Sequence, residues 1–400
     1  MTGHFNIFEI LRKIPTDLLR TYCAAHGVLQ DFAWGTMRFQ DEERVGAALQ
    51  ASGETFRSIM AEFDSVWMLH GPEFTRAILN EANFYENGEA VTAIGAQKSH
   101  LLKALWAFAE RKKYIANSKI LHGVDKLPAR SWLKRHGIPL QPGPVDHSGV
   151  EQLEDELSKF FMSTDLRGQN CKIDRLLRGD EELFFAYTQD HPVSDLVFDD
   201  TGKLTSQVTN RIFLLIFKHN NAQHTLDIYF GGPKKQTLEL QKIFVRTVIG
   251  EELTDAAADD DQVYELERTL DSGFEFQYSH DLGITSATIT KMRFVVYGEP
   301  WRRFMAEADT INDPEALSKF VEALTTALPS ALLFLDQICV RASFHQRPGD
   351  PRAPSRTIYI THPNLIRLKD DELGDRICKM LLQSGIERQL VKTADEALTV

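Results

Sequence analysis

A chain of 400 residues, 43% hydrophobic and 26% charged, is long enough for two or three domains with sizeable cores and too apolar to be disordered. No apolar run approaches the ~20 residues of a membrane helix, and the N-terminus MTGHFNIFEILRK lacks the basic stretch, apolar core and small-residue site of a secretory signal. The formal charge of −12 opposes general binding to nucleic acid, and four widely spaced cysteines with no CxxC pair (Cys23, Cys171, Cys339, Cys378) read as reduced thiols in a cytoplasm rather than a zinc site.

The first 125 or so residues read as helices. Residues 54–70 repeat Phe56, Met60, Phe63 and Trp67 along one amphipathic stripe, ended by Gly71-Pro72. From Ala96 to about Leu121 the pattern stays helical, with Leu101, Leu105, Phe108 and Ile115 facing inward. The Pro/Gly-rich passage HGIPLQPGPVDHSG at 136–149 is the best linker candidate, and residues 148–162 form one more amphipathic helix.

After about residue 165 the pattern changes. LFFAY (183–187), RIFLLIF (211–217), TLDIYF (225–230), TSATITKMRFVVY (285–297), RRFMAEA (302–308), LLFLDQICVRASF (332–344) and RTIYIT (356–361) read as strands. Helices are expected at 234–249, from Asp313-Pro314 onward, and from Asp370 to about Gln383, while 251–261 and 346–355 read as solvent loops. The stretch 211–250 is the most legible. An apolar strand is followed by a turn at Asn220–Gln223, a strand alternating Leu226, Ile228 and Phe230 with Thr225, Asp227 and Tyr229, a Gly-Gly-Pro breaker, and a helix that Gly250 caps. The expected organisation is α+β: an all-helical domain over 1–145, a helical connector over 146–180, and a mixed, β-rich domain over 181–400.

Two regions carry candidate chemistry. His219 and His224 flank the hairpin turn, with Asp227 three residues on, and facing positions in a hairpin bring side chains within reach of each other. A strand–strand–helix unit with His at the end of its first strand resembles the HNH-type ββα-metal nucleases. Those enzymes complete their metal site with a His or Asn on the helix, however, and residues 234–249 contain neither. Asp227 followed by Glu239 and Lys242 also misses the spacing of a PD-(D/E)xK nuclease. His191, in Asp190-His191-Pro192, sits just past a predicted strand, where catalytic loops often lie. No GxGxxG, GxxxxGK[ST], HExxH or GxSxG occurs, and the pattern implies no cofactor and no metal site.

The second region is residues 103–136, with nine Lys or Arg against two acidic residues in an acidic chain. Lys103, Arg111, Lys112, Lys113, Lys119, Arg130, Lys134 and Arg135, with Trp132 among them, have the composition of a surface for an anionic partner. As one helix, Arg111, Lys112 and Lys113 would span about 200° and could not share a compact patch.

These observations favour a non-catalytic adaptor or regulatory subunit of an intracellular multi-protein assembly over an enzyme. A protein partner or a second copy would dock by complementary charge, and a bacterial defence system is a setting that would suit it. The alternative is a nucleic-acid-binding or metal-dependent nucleic-acid-processing enzyme that holds phosphates on 103–136, with His191, His219, His224 or Asp227 as its chemistry.

Overall fold

A computed structural model describes residues 6–388 apart from 36–40, 86–87, 125–126, 128–131, 141–144, 200, 254–261, 272, 297–301, 311, 314, 328–332, 347–351, 367 and 369–370. The expected solvent loops at 251–261 and 346–355, and the Asp313-Pro314 helix start, therefore fall largely outside the described residues. The chain is α+β and divides into two compact units, Met1–Leu127 and Pro128–Val400. No helix among the described residues is long and apolar enough to cross a membrane.

The first unit is helical: α1 (Ile7–Lys13), α2 (Thr16–Ala25), α3 (Asp41–Gln50), α4 (Glu54–Leu69), α5 (Pro72–Phe84), α6 (Gly88–Gly95), α7 (His100–Glu110) and α8 (Lys112–Val124). One core joins them, with Leu11, Leu19, Phe63, Phe74, Ile78, Leu105 and Tyr114 all buried. The inner row of α4 is Ile59, Phe63 and Val66, while Phe56 and Trp67 sit at its margin. Both rows contain Phe63 and both have helical spacing, so packing against neighbouring helices rather than periodicity chooses between them. The expected single helix through 96–121 is instead two helices. The chain breaks at Arg111 (φ −145°, ψ 62°), so Arg111, Lys112 and Lys113 do not follow one another on a continuous helix.

The second unit holds two antiparallel sheets. The first runs in the order β1-β5-β4-β3-β2, built from β1 (Trp132–His136), β2 (Cys171–Arg178), β3 (Glu181–Phe198), β4 (Leu204–Asn220) and β5 (Thr225–Tyr229). Helices α9 (His147–Asp165) and α10 (Lys234–Phe244) cover one face. Leu153, Leu157 and Phe161 from α9 and Leu240 and Phe244 from α10 share a core with Phe184, Leu215, Phe217, Leu226 and Ile228. Burial on this scale stabilises by about 1.5–3 kcal/mol per large apolar side chain. Residues 146–180, expected to connect two domains, form α9 and β2 and so belong to this layer. The helix after β5 ends in a π-turn, Val245–Ile249, capped by Gly250 at φ 81°, a left-handed conformation that glycine adopts without steric cost.

The second sheet runs β10-β9-β8-β6-β7, from β6 (Ile284–Val296), β7 (Arg302–Glu307), β8 (Leu333–Phe344), β9 (Ser355–Thr361) and β10 (Leu365–Ile366). Helices α11 (Ala316–Ala327) and α12 (Glu372–Gln383) complete its core through Leu317, Val321, Ile377, Met380 and Leu381. Asp371 caps α12, accepting from the Gly374 N–H at 3.0 Å.

β3 and β4 run far past the rest of their sheet. β2 pairs with β3 only over 181–188, and β5 pairs with β4 only over 216–220. Among the described residues, 192–198 and 204–210 therefore pair only with each other, as a two-stranded ribbon. The ribbon begins at a register shift between Gln189 and Pro192, the kind of bulge at which a strand accommodates proline. Its tip is an Asx turn: Asp199 Oδ1 accepts from Thr201 N–H at 2.9 Å and Lys203 N–H at 2.9 Å.

Candidate functional site

The expected candidates separate by strand alternation. His219 and Lys218 are neighbours on β4 and point to opposite faces. His219 faces α10, is 2% exposed, and lies with its ring centroid 5.9 Å from that of Phe244. Burial lowers its pKa to about 4, and the nearby His224 adds to the shift. His219 therefore stays neutral in the core, opposite Leu226 and not His224. His224 occupies the hairpin turn at φ 55°, locked to the chain after β1: its carbonyl accepts from Ile138 N–H at 3.1 Å, and its Nδ1 lies 3.2 Å from Ile138 O. His191 is exposed at the bulge where the ribbon starts, inside β3 and not in a loop after it. Among the described residues no three His, Cys, Asp or Glu side chains could hold a metal ion.

The basic segment is divided between the two units. Lys103, Arg111, Lys113 and Lys119 belong to the helical unit, where Lys113 Nζ sits 4.3 Å over the Tyr85 ring and Lys119 Nζ donates to Ser65 Oγ at 3.1 Å. Arg130 and the side chain of Lys112 lie outside the described residues. The other three are on β1, inside the second unit. Trp132 packs on Tyr229 with ring centroids 5.5 Å apart. Arg135 is 2% exposed and donates from Nε to Gln241 Oε1 at 2.6 Å. Lys134, on the other face of β1, forms an ion pair with Glu387 at 2.6 Å. Neither Lys134 nor Arg135 is on a solvent face open to a phosphate backbone.

Lys134 instead belongs to a charged floor that sequence spacing did not reveal. Register places Lys134 on β1 opposite Asp227 on β5, and Asp227 opposite Lys218 on β4, so three charges stand in a row on the sheet face away from α9 and α10. Each lysine is bonded to a different carboxylate: Lys134 to Glu387, and Lys218 to Glu181 at 2.9 Å. His136 Nε2 also lies 3.2 Å from Glu387 Oε1. Burial raises the pKa of Asp227 from its ordinary value, because the two lysines only partly offset the desolvation. For Lys134 the balance is reversed. Burial alone would lower its pKa, but Glu387 and Asp227 hold it above the usual value. Glu387 stays ionised in turn: burial opposes its charge, but His136 and Lys134 outweigh that and lower its pKa.

This floor opens into a cavity of about 1010 Å³. One wall is the chain after β1, Gly137–Leu140, with the hairpin turn. The other is α12 and the residues after it, through Cys378, Lys379, Leu382 and Arg388. The Cys378 thiol is pushed up to about 12, chiefly by burial, and is therefore a neutral wall group and not a nucleophile. Lys134 joins the floor to the second wall through Glu387, and its backbone N–H reaches Asn364 O, in the turn between β9 and β10, at 3.2 Å. Of the residues expected to carry chemistry, the fold brings Lys134, His224 and Asp227 to this cavity. Lys218, Glu181, His136 and Glu387 join them, and only the alternation of β5 around Asp227 hinted at that grouping.

The ribbon is the other exposed feature. Cross-strand partners share a face, so Phe198 stands beside Leu204, and Leu196 and Val208 lie on the same face opposite Ser206 and Ser194. Phe198 is 74% exposed, Leu196 74%, Val208 71% and Leu204 54%. The opposite face is mixed: Val193 and Val197 share it with Asp195, which accepts from Thr209 Oγ1 at 2.7 Å and pairs with Arg211 at 2.6 Å. Against known proteins, the chain matches no family model, no curated protein and no solved structure.

Proposed function

We propose that this chain is a non-catalytic adaptor or regulatory subunit of an intracellular protein assembly, and that it docks through the ribbon of β3 and β4. The carrying observation is the apolar row Leu196, Phe198, Leu204 and Val208 on a two-stranded arm that pairs with no third strand among the described residues. Contiguous exposed apolar side chains bordered by polar groups mark protein-binding surfaces. A ribbon also offers free backbone edges for strand addition. Within the ribbon these side chains contribute nothing to a core, so their burial is available to a partner, at about 25 cal/mol per Å² of apolar surface covered. The free state of all four cysteines agrees with a reducing compartment.

The test is native size. In extract from its own cells the chain should elute above its 45.5 kDa monomer mass. A variant carrying Leu196→Ser, Phe198→Ser and Val208→Ser should elute as a monomer with an unchanged melting temperature. A monomeric wild type, or a variant that keeps the larger size, would sink the reading.

A further inference from the structure

We propose that the cavity between the first sheet of the second unit and α12 binds a small zwitterion of the α-amino-acid type, with its ammonium on Asp227, its carboxylate on Lys218 and an apolar side chain against the chain after β1.

Size permits it. A cavity of about 1010 Å³ falls at the upper end of the roughly 300–1,000 Å³ of small-molecule sites.

Charge selects the ligand class. Along the floor Lys134, Asp227 and Lys218 alternate in sign on adjacent strands, about 4.8 Å apart. Glu387 and Glu181 flank them, each bonded to the nearer lysine. A ligand bearing only a positive charge would meet a lysine on either side of Asp227. One bearing only a negative charge would meet Asp227 between the lysines and a glutamate beyond each. A molecule with an ammonium and a carboxylate on one carbon presents both signs at short range and matches the alternation. Each lysine ammonium carries three N–H donors and so can hold more than one acceptor. Of the two, Lys218 is the more open partner: its side chain is 20% exposed, against 12% for Lys134.

The remaining walls suit the rest of the molecule. Ile138, Pro139 and Leu140 line one side of the cavity and Leu382 the other, with Leu140 57% and Leu382 37% exposed. His224 holds the first of these walls in place through its two contacts with Ile138. A polar floor that fixes orientation beneath apolar walls is the usual build of a small-ligand site.

The experiment uses the full chain and the twenty standard L-amino acids with Leu-Leu as probes, each at roughly 10 mM, first by thermal shift and then by calorimetry. At least one zwitterion with an apolar side chain should raise the melting temperature by about 2 °C or more. Its N-acetyl derivative, which lacks the ammonium, and its amide, which lacks the carboxylate, should not. Asp227→Asn should weaken binding about tenfold or more, and so should Lys218→Met. Absence of any shift across the probes overturns the proposal. So does equal binding of the singly charged derivatives, a comparison made on the wild type that does not depend on either variant folding. None of these outcomes depends on the ribbon, so this site and the assembly role stand or fall separately.

Discussion

Lys134 shows how much a single buried charge depends on its partner. Its ammonium and the Glu387 carboxylate are 12% and 6% exposed at 2.6 Å, so removing one leaves the other charged and desolvated. Breaking a buried pair from one side costs about 3–5 kcal/mol, whereas replacing both partners by apolar groups is often neutral. Lys134→Met should therefore destabilise by that amount in urea unfolding, and adding Glu387→Met should restore most of it. Equal destabilisation by the single and the double variant would show that the pair itself is not what holds the floor to that wall. His219 makes a different prediction, in pH. Its folded pKa of about 4 is below the unfolded value of about 6.5, so the unfolded chain binds the extra proton between those values. The stability that a neutral His219 contributes is complete above pH 6.5 and is lost as pH falls toward 4, by about 3 kcal/mol in full. The unfolding midpoint of His219→Leu should fall less than that of the wild type between pH 7 and pH 4, and parallel curves would refute the assignment.

At the scale of elements, local signals worked where the side chains nearby made the decision. β6, β8 and β9 stand where runs of β-branched and aromatic residues predicted them, and Gly250 ends α10 and its π-turn as a capping glycine should. The α9 end is less regular: Leu166 takes the left-handed cap position at φ 55°, ψ 34°, and its side chain is 80% exposed. A leucine there bears a steric cost that glycine avoids and recovers little by burial. Leu166→Gly should therefore stabilise the protein by about 0.5–1 kcal/mol, read as a rise in denaturation midpoint. A fall would mean that the leucine packs in a way its exposure does not show. β1, β2 and β10 escaped local reading, and β3 was read only over 183–187. β1, Trp-Leu-Lys-Arg-His, is too charged to look like a buried strand, and Pro192 interrupts the apolar pattern of β3 at the point where the chain continues as the ribbon.

Over the whole molecule, the division of charge that suggested an anionic-partner surface takes on another meaning. The basic run 103–136 crosses from one compact unit into the other, and the cations on its last strand meet Glu387 and Gln241 inside the second. The α+β class, the helical first part and the hairpin at 211–250 were legible because each depends on periodicity and turn chemistry within a few residues. The candidate cavity was only partly legible. Asp227, His224 and Lys134 stood out individually, but Lys134 meets Glu387 across 253 positions of chain, a distance over which composition and spacing carry no information. Strand register put Lys134, Asp227 and Lys218 in one row, and burial set the direction of each titration. Those are properties of neighbours brought together by folding, so the tertiary structure alone decided them.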